Sequence, residues 1–399
     1  MAAEQIDELR SDWDPHAPEI RADYPAALAR LRAEAPVAWS DRWGGFFTLT
    51  RYADVVAASR DPETFTATKM TVIPTSPRKG LPRLPLQKDP PESDRYRKAL
   101  NNSFKSNKIR TFEQPLRELA ARLMSDLLAR PGYADFARGF AEPFTQGALG
   151  LLVGLDPDEA LEVGRLSHAY VEKVQGEDLP AAGELSRKVD AFAVRLVEDR
   201  LSSPRDPETD IVSNLMAFDT QAPFTAEELA GMVRLMLIGG HVVPRNFLCS
   251  VAWHLATHPE HVDRLRDDPS FESGFIEECL RFYPSNQALV RVATRDAEIG
   301  GTFIPEGTPV ALNFLSANRD AEVFDDPDTF DPARKPNRHI AFGIGPHMCL
   351  GLAMARLETQ VTIATLLTAP GLKVIGEPSW ACWTEYGVTA LTLDLRAGS

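Results

Sequence analysis

The residues with the most chemistry to offer lie in Ala341-Phe342-Gly343-Ile344-Gly345-Pro346-His347-Met348-Cys349-Leu350-Gly351. Two glycines and a proline precede Cys349, and a glycine follows it where a helical pattern begins. Glycine lets a backbone turn tightly and approach another group closely. A thiolate at a helix N-terminus is stabilised by the unpaired N–H groups there and by the helix dipole. Such a sulfur is a good anionic ligand for iron; the other reading of a lone cysteine is a small buried hydrophobe. A second chemical pair is Glu278 and Arg281. Residues at this spacing share a helix face, so carboxylate and guanidinium can pair.

The whole string resembles the haem-binding loop of the cytochrome P450 family, F-G-x-G-x-H-x-C-x-G, and matches it at every fixed position. The resemblance implies that Cys349 is the proximal thiolate of a haem b iron, pushing electron density onto the metal. It also implies that His347 reaches a haem propionate and that Phe342 packs beside the sulfur, with Gly343 and Gly351 shaping the loop. Further motifs follow in the family's order, so the likeness covers nearly the whole chain. Glu278-Cys279-Leu280-Arg281 matches E-x-x-R, and Phe330-Asp331-Pro332-Ala333-Arg334 resembles the segment that supplies its partner arginine. Arg291 matches a propionate-binding arginine. Asp89-Pro90-Pro91-Glu92-Ser93-Asp94-Arg95-Tyr96-Arg97 resembles D-P-P-E-H-x-x-x-R. Arg97 would then bind a propionate, as a guanidinium does bidentately. Ser93 stands where the family usually has histidine, which leaves one contact weaker or water-mediated.

The implied fold is mainly α with small β-sheets, the haem lying between a long distal helix and the cysteine loop. On that helix the sequence departs from the family. Gly239-Gly240-His241-Val242-Val243-Pro244-Arg245-Asn246 stands where the family usually reads [A/G]-G-x-[D/E]-T-[T/S]. The acid and alcohol of that motif carry protons to the oxygen being reduced. Val242 and Val243 can neither donate nor accept a hydrogen bond through their side chains. Pro244 has no N–H and crowds the carbonyl of Gly240, so a kink or widening is expected at Gly239-Gly240, with the Gly240 carbonyl left free. Three chemistries fit: a water on that carbonyl replaces part of the relay, peroxide bypasses it, or the reaction is an oxidative coupling. His241 and Arg245 are placed on the helix's far side.

By the same resemblance the substrate pocket is lined by the loop near Met70–Leu86, the Leu235–Val243 face, Ser285–Val290 and the turn around Trp383–Val388. Arg83, Leu235, Gly239, Val243, Asn286, Leu289 and Tyr386 are its candidate residues. They are mostly apolar, as suits a site that excludes water. Arg83 either anchors a substrate carboxylate or is a solvated loop arginine. The expected substrate is a small to medium hydrophobic, possibly aromatic, molecule. An iron–sulfur ferredoxin with its reductase is the expected electron source. Such a partner is acidic and would dock on basic clusters, Arg97, Lys98, Lys105, Lys108 and Arg110, and Arg334, Lys335 and Arg338, which otherwise read as ordinary solvated charge.

The elements that must position these groups are mostly helical. Apolar residues recur at three- to four-residue steps over Ser93–Leu128, Glu159–Val174, Ala182–Arg200, Thr225–His258, Glu272–Phe282 and Leu350–Leu367. Strand patterns cover Phe46–Thr50, Ala288–Ala293, Ala297–Ile299 and Pro309–Leu312, with a hairpin expected near Tyr386–Leu395. Pro/Gly punctuation over Pro74–Pro91 reads as a long irregular loop. With 399 residues, 44% of them hydrophobic, and no composition shift marking a linker, residues 1–399 read as one domain. Four cysteines without a C-x-x-C pair suit a reducing compartment. Met1–Pro15 lacks an apolar signal segment, and no uninterrupted apolar run approaches the roughly 18 residues of a membrane span. A cytoplasmic, monomeric protein without a membrane partner is therefore expected. The net charge of −14 disfavours nucleic acid. A haem-based sensor or ligand-binding protein is the alternative from another class, kept open by Val242 and Val243.

Overall fold

In a computed structural model, residues 13–75, 80–219 and 221–396 are described. The helices in chain order are α1 (Pro18–Ala22), α2 (Tyr24–Glu34), α3 (Tyr52–Arg60), α4 (Glu92–Asn101), α5 (Ser106–Arg110), α6 (Glu113–Ala129), α7 (Glu142–Val153) and α8 (Pro157–Gln175). Then come α9 (Leu179–Ser202), α10 (Ile211–Ala217), α11 (Ala226–Gly239), α12 (Val242–Thr257), α13 (Pro259–Asp267), α14 (Phe271–Phe282), α15 (Phe314–Ala317) and α16 (Leu352–Leu366).

The largest sheet has the order β1 (Val37–Ser40), β2 (Phe46–Leu49), β8 (Pro309–Asn313), β5 (Ala288–Ala293), β3 (Phe65–Thr66). It thus joins the first part of the chain to the segment that carries Arg291. β6 (Ala297–Ile299) and β7 (Thr302–Ile304) form a hairpin over Gly300-Gly301, both at positive φ, as a two-residue turn of that hand requires. The hairpin expected near Tyr386–Leu395 does not form. β11 (Tyr386–Ala390) pairs instead with β10 (Ser379–Cys382), while β12 (Thr392–Asp394) pairs with β4 (Ala134–Asp135) and β9 (Lys373–Val374). Leu391 alone separates β11 from β12, and one residue is too short a link to reverse the chain.

Two helical runs are divided. The 93–128 pattern becomes α4, α5 and α6. Pro115 lacks an N–H and sits in the first turn of α6, where none is needed. The 225–258 pattern divides into α11 and α12, with Pro244 in the first turn of α12. Thr225 opens α11 through a capping box with Glu228.

By length and composition Ala226–Thr257 would be apolar enough to cross a membrane, although charged residues interrupt it, and 67% of its most apolar window is buried in the fold. Arg234, His241, Arg245, Asn246 and His254 are all buried along it. It runs through the core with apolar residues on several sides, among them Leu237, Leu248 and Val251.

The cysteine loop rests on an ion network. Arg281 binds Glu278 through Nε at 2.9 Å and Nη2 at 2.6 Å, and Arg334 Nε reaches the same carboxylate at 3.3 Å. Both Glu278 and Arg281 are fully buried. The remaining donors of Arg281 go to the carbonyls of Asn318, Pro327 and Thr329, at 2.9, 2.7 and 3.0 Å. One ion pair thereby ties α14 to the irregular chain that leads into the cysteine loop. Breaking such a pair leaves an uncompensated buried charge, at a cost of about 3–5 kcal/mol.

Candidate active site

A cavity of about 340 Å³ lies between the cysteine loop on one side and α11, α12 and the Leu84–Leu86 segment on the other. The loop's shape follows from its glycines. Gly343 and Gly345 have φ of +69° and +78°, and a Cβ on Gly345 would lie 2.7 Å from the Ser59 carbonyl. The turn closes through Cys349 N–H to the Phe342 carbonyl at 2.9 Å and Met348 N–H to that of Gly345 at 3.1 Å. Cys349 is thereby presented to the cavity, which its side chain lines. Burial pushes its thiol up, while a hydrogen bond from the Gly351 N–H and the nearby Arg97 act the other way. Phe342 also lines the cavity and packs under Arg356, at 5.0 Å.

Cationic groups stand around this floor. Arg291 lines the cavity at 3% exposure, and Nη1 donates at 2.9 Å to the neighbouring Val290 carbonyl. Burial lowers its pKa to about 10, opposed by Asp89. His347 lines the cavity, with Nε2 3.1 Å from Asp89 Oδ1. Arg97 donates to the Met348 carbonyl at 2.8 Å, which holds α4 beside the loop. Ser93 is fully buried and its hydroxyl lacks a partner among the described residues. It does not line the cavity, and neither does Arg97. Among the described residues no three His, Cys, Asp or Glu side chains gather as a metal cage. A metal held by Cys349 must therefore bring its other ligands with it, and arginines at the rim suit a macrocycle bearing carboxylates.

Opposite the thiol, the distal helix is broken. Gly240 caps α11 and His241 has φ −126° and ψ −59° before α12 begins. Pro244 offers the Gly240 carbonyl no N–H, and the next available one, on Arg245, goes to His241 at 3.1 Å. Gly239, Gly240, Val243 and Pro244 line the cavity, whereas Val242 is buried at 3% exposure away from it. Gly240 has no room for a side chain: its Cβ would lie 2.8 Å from the Met236 carbonyl. Gly239 faces open space.

His241 is fully buried on the far side, its Nδ1 2.8 Å from Thr145 Oγ1, and burial, with His168 and Arg245, lowers its pKa to about 3. Arg245 donates to the Thr389 carbonyl at 2.8 Å and to Asn246 Oδ1 at 2.9 Å. Asn246 in turn donates to Glu385 at 2.9 Å.

Leu235, Asn286 and Leu289 line the cavity as the sequence suggests, and Ser285 joins them with its buried hydroxyl unpartnered among the described residues. Two expected lining residues are not there. Tyr386 stacks on Tyr24 at 6.2 Å and lies tilted against Trp380 at 5.4 Å, within an aromatic cluster that draws the whole Trp383–Val388 turn off the cavity wall. Arg83 turns its guanidinium to Thr71 and Tyr170. Gln287 and Thr384 also lie off the wall: Gln287 donates to the Tyr24 hydroxyl at 2.6 Å and the Thr384 carbonyl accepts from backbone N–H groups.

One functional group escaped the sequence reading. Glu358, on α16, lines the cavity at 2% exposure, and burial raises its pKa to about 8. A neutral carboxyl at pH 7 is a proton donor rather than an acceptor. Its position four residues after Met354 and between Leu357 and Val361, on the apolar stripe of its helix, was the available signal.

A family model described as Cytochrome P450 matches residues 273–376. The nocardicin C N-oxygenase of Nocardia uniformis subsp. tsuyamanensis is 32% identical, with 98% of this chain and 96% of that one covered. The erythromycin C-12 hydroxylase of Saccharopolyspora erythraea is also 32% identical, over 86% of each chain. Among solved structures, the cytochrome P450 PksS of the Bacillus subtilis bacillaene polyketide synthase superposes with a TM-score of 0.86 at 25% identity, covering 96% of this chain and 99% of that one.

Proposed function

Because the chain belongs to the cytochrome P450 family, and is thus a haem-dependent oxidoreductase, we propose that it inserts oxygen into a small to medium apolar substrate without the usual acid–alcohol relay. The observation that carries this reading is Cys349 lining the floor of the cavity while Val243, not an alcohol, lines the opposite wall. When bound, the haem supplies the redox-active iron at which dioxygen is reduced and the substrate oxidised. Cys349 Sγ would hold the metal, with Gly351 N–H supporting its charge. Arg291, Arg97 and His347 would take the propionates, and Phe342 and Gly343 would pack against the ring. The apolar wall of Leu235, Val243 and Leu289 excludes water and holds the substrate, with Asn286 and Ser285 as its polar contacts.

Protons must then come from this chain's other groups. The Gly240 carbonyl, which Pro244 cannot cap, would hold a water at the helix break. Glu358, on α16 directly after the Cys349 loop, would keep its carboxyl protonated on the thiolate's side of the cavity, not beside the Val243 wall. One of the two relatives is named for oxidation at nitrogen and the other for oxidation at carbon, so either site of insertion fits.

Electrons would arrive from a ferredoxin and its reductase. The docking face is narrower than the charge clusters suggest, because Arg334 is committed to Glu278 and Lys108 to Glu208. Lys98, Lys105, Arg110, Lys335 and Arg338 remain exposed, as does Met348 at 43% exposure, next to Cys349. Lys98→Glu should slow reduction most at low salt; a rate insensitive to both charge and salt would place the partner elsewhere. A single-domain, monomeric, cytoplasmic protein completes the reading.

The deciding experiment compares turnover driven by reductase and dioxygen with turnover driven by peroxide alone. Product formed only with an electron donor supports the monooxygenase. The two valines favour a second reading, and product formed at equal rate from peroxide alone would establish it.

A further inference from the structure

A second cluster flanks the cavity wall and is built from cations. Arg83 directly precedes the lining run Leu84–Leu86, and Arg234 directly precedes Leu235. Arg234 is 3% exposed: Nε binds Asp190, Nη2 donates to Ser186 Oγ at 2.9 Å, and Nη1 is buried with no partner among the described residues. Arg83 donates through Nη1 to Thr71 Oγ1 at 3.1 Å and through Nη2 to the Tyr170 hydroxyl at 3.2 Å. Both acceptors are uncharged and buried, at 2% and 6% exposure. Among the described residues the acidic group close enough to act on Arg83 is Asp190, already committed to Arg234. Residues 76–79, just before it in sequence, contain no Asp or Glu.

Among the described residues two guanidiniums therefore share one carboxylate, an excess of one positive charge, with Arg234 buried and Arg83 half-buried. A buried charge is costly unless an opposite charge meets it. The hydroxyls of Thr71 and Tyr170 can each turn and donate, so the cluster offers several donors around one uncompensated charge. An excess of one charge matches a monoanion such as a carboxylate better than a phosphate dianion.

We propose that Arg83, with Arg234, Thr71 and Tyr170 around it, binds the carboxylate of a substrate whose apolar body fills the cavity. The proposal rests on the haem-thiolate monooxygenase reading of that cavity. The opposing possibility is that these contacts only pin the Pro82–Gln87 segment onto α8 and α11.

The test is a spin-state titration of the ferric holoenzyme with decanoate and 4-butylbenzoate, each against its primary amide. In the wild type each acid should bind roughly 10- to 100-fold tighter than its amide, the range for a charge-assisted hydrogen bond. Arg83→Gln should bring that ratio near one while leaving amide affinity in place. Asp190→Asn removes the competing carboxylate and should raise the ratio; if it fails to fold, the Arg83→Gln ratio still decides. Acid and amide binding equally to the wild type, no spin shift with either acid, or Arg83→Gln weakening acid and amide alike would overturn the subsite. In those cases the ferrous carbon monoxide complex would keep its thiolate-type spectrum. Loss of that spectrum in the wild type would instead remove the haem-thiolate reading, and the subsite with it.

Discussion

At the residue scale, the cysteine loop was legible because its whole mechanism is encoded locally. Glycines at positive φ, a ring before the sulfur and a donor after it all fall within eleven consecutive residues. Glu358 was not legible in the same way, because a glutamate in a helical pattern ordinarily marks the wet face, and only packing against α12 and the loop reverses that. Arg83 and Tyr386 show the converse error. Arg83 adjoins the lining run Leu84–Leu86, but hydrogen bonds to Thr71 and Tyr170 draw its side chain away, and packing on Tyr24 and Trp380 holds Tyr386 with its turn off the wall. One substitution tests the relay. Val243→Thr should improve the coupling of electrons to product in reductase-driven turnover; unchanged coupling would mean that a missing alcohol is not limiting.

At the scale of elements, periodicity located the long distal helix but not its interruption. Apolar spacing continues across Gly240 and His241 because both flanks face the core, so a pattern reading joins them. Pro244 was the local warning, and the observed break at Gly240–His241 sits where its crowding of the Gly240 carbonyl places it. Pro115 marks the start of α6 in the same way, whereas the break between α4 and α5, at residues 102–105, carries no proline. Short helices such as α3 and α13 escaped because nine residues give few apolar repeats to count. The cysteine loop yields the clearest element-scale prediction. Gly345 combines positive φ with a Cβ position 2.7 Å from the Ser59 carbonyl. Gly345→Ala should cost roughly 1–2 kcal/mol from the left-handed backbone alone, with loop displacement added. Haem-binding isotherms and urea melts measure both, and a variant matching wild type in each would show that the turn is not set by this contact.

At the scale of the molecule, fold class and haem chemistry followed from sequence, whereas the usable surface charge did not, since Arg334 and Lys108 are spent on intramolecular partners. Burial also sets how stability responds to pH. His241 and His254 are held down to about 3 and about 2, both first by burial, from an ordinary 6.5. Below pH 6.5 the unfolded chain takes up protons that these folded histidines refuse, so their contribution is lost as pH falls. Glu358 and Glu385 are pushed up by burial to about 8 and about 7, from 4.5. Above pH 4.5 the unfolded chain releases protons that these folded carboxyls keep, so their contribution is lost as pH rises. Two groups of each kind roughly offset between pH 4.5 and 6.5. Thermal melts of the holoprotein should therefore show a plateau there, a fall on the acid side, and a fall above pH 6.5 that Glu358→Gln reduces. A melting temperature still rising between pH 6.5 and 8 would contradict this balance. The most direct test of the whole account is the absorption spectrum of the ferrous carbon monoxide complex, recorded for wild-type holoprotein and for Cys349→His. The account predicts a thiolate-type, red-shifted Soret band in the wild type and its replacement by an imidazole-type band in the variant. The same band in both proteins would show that Cys349 does not hold the iron.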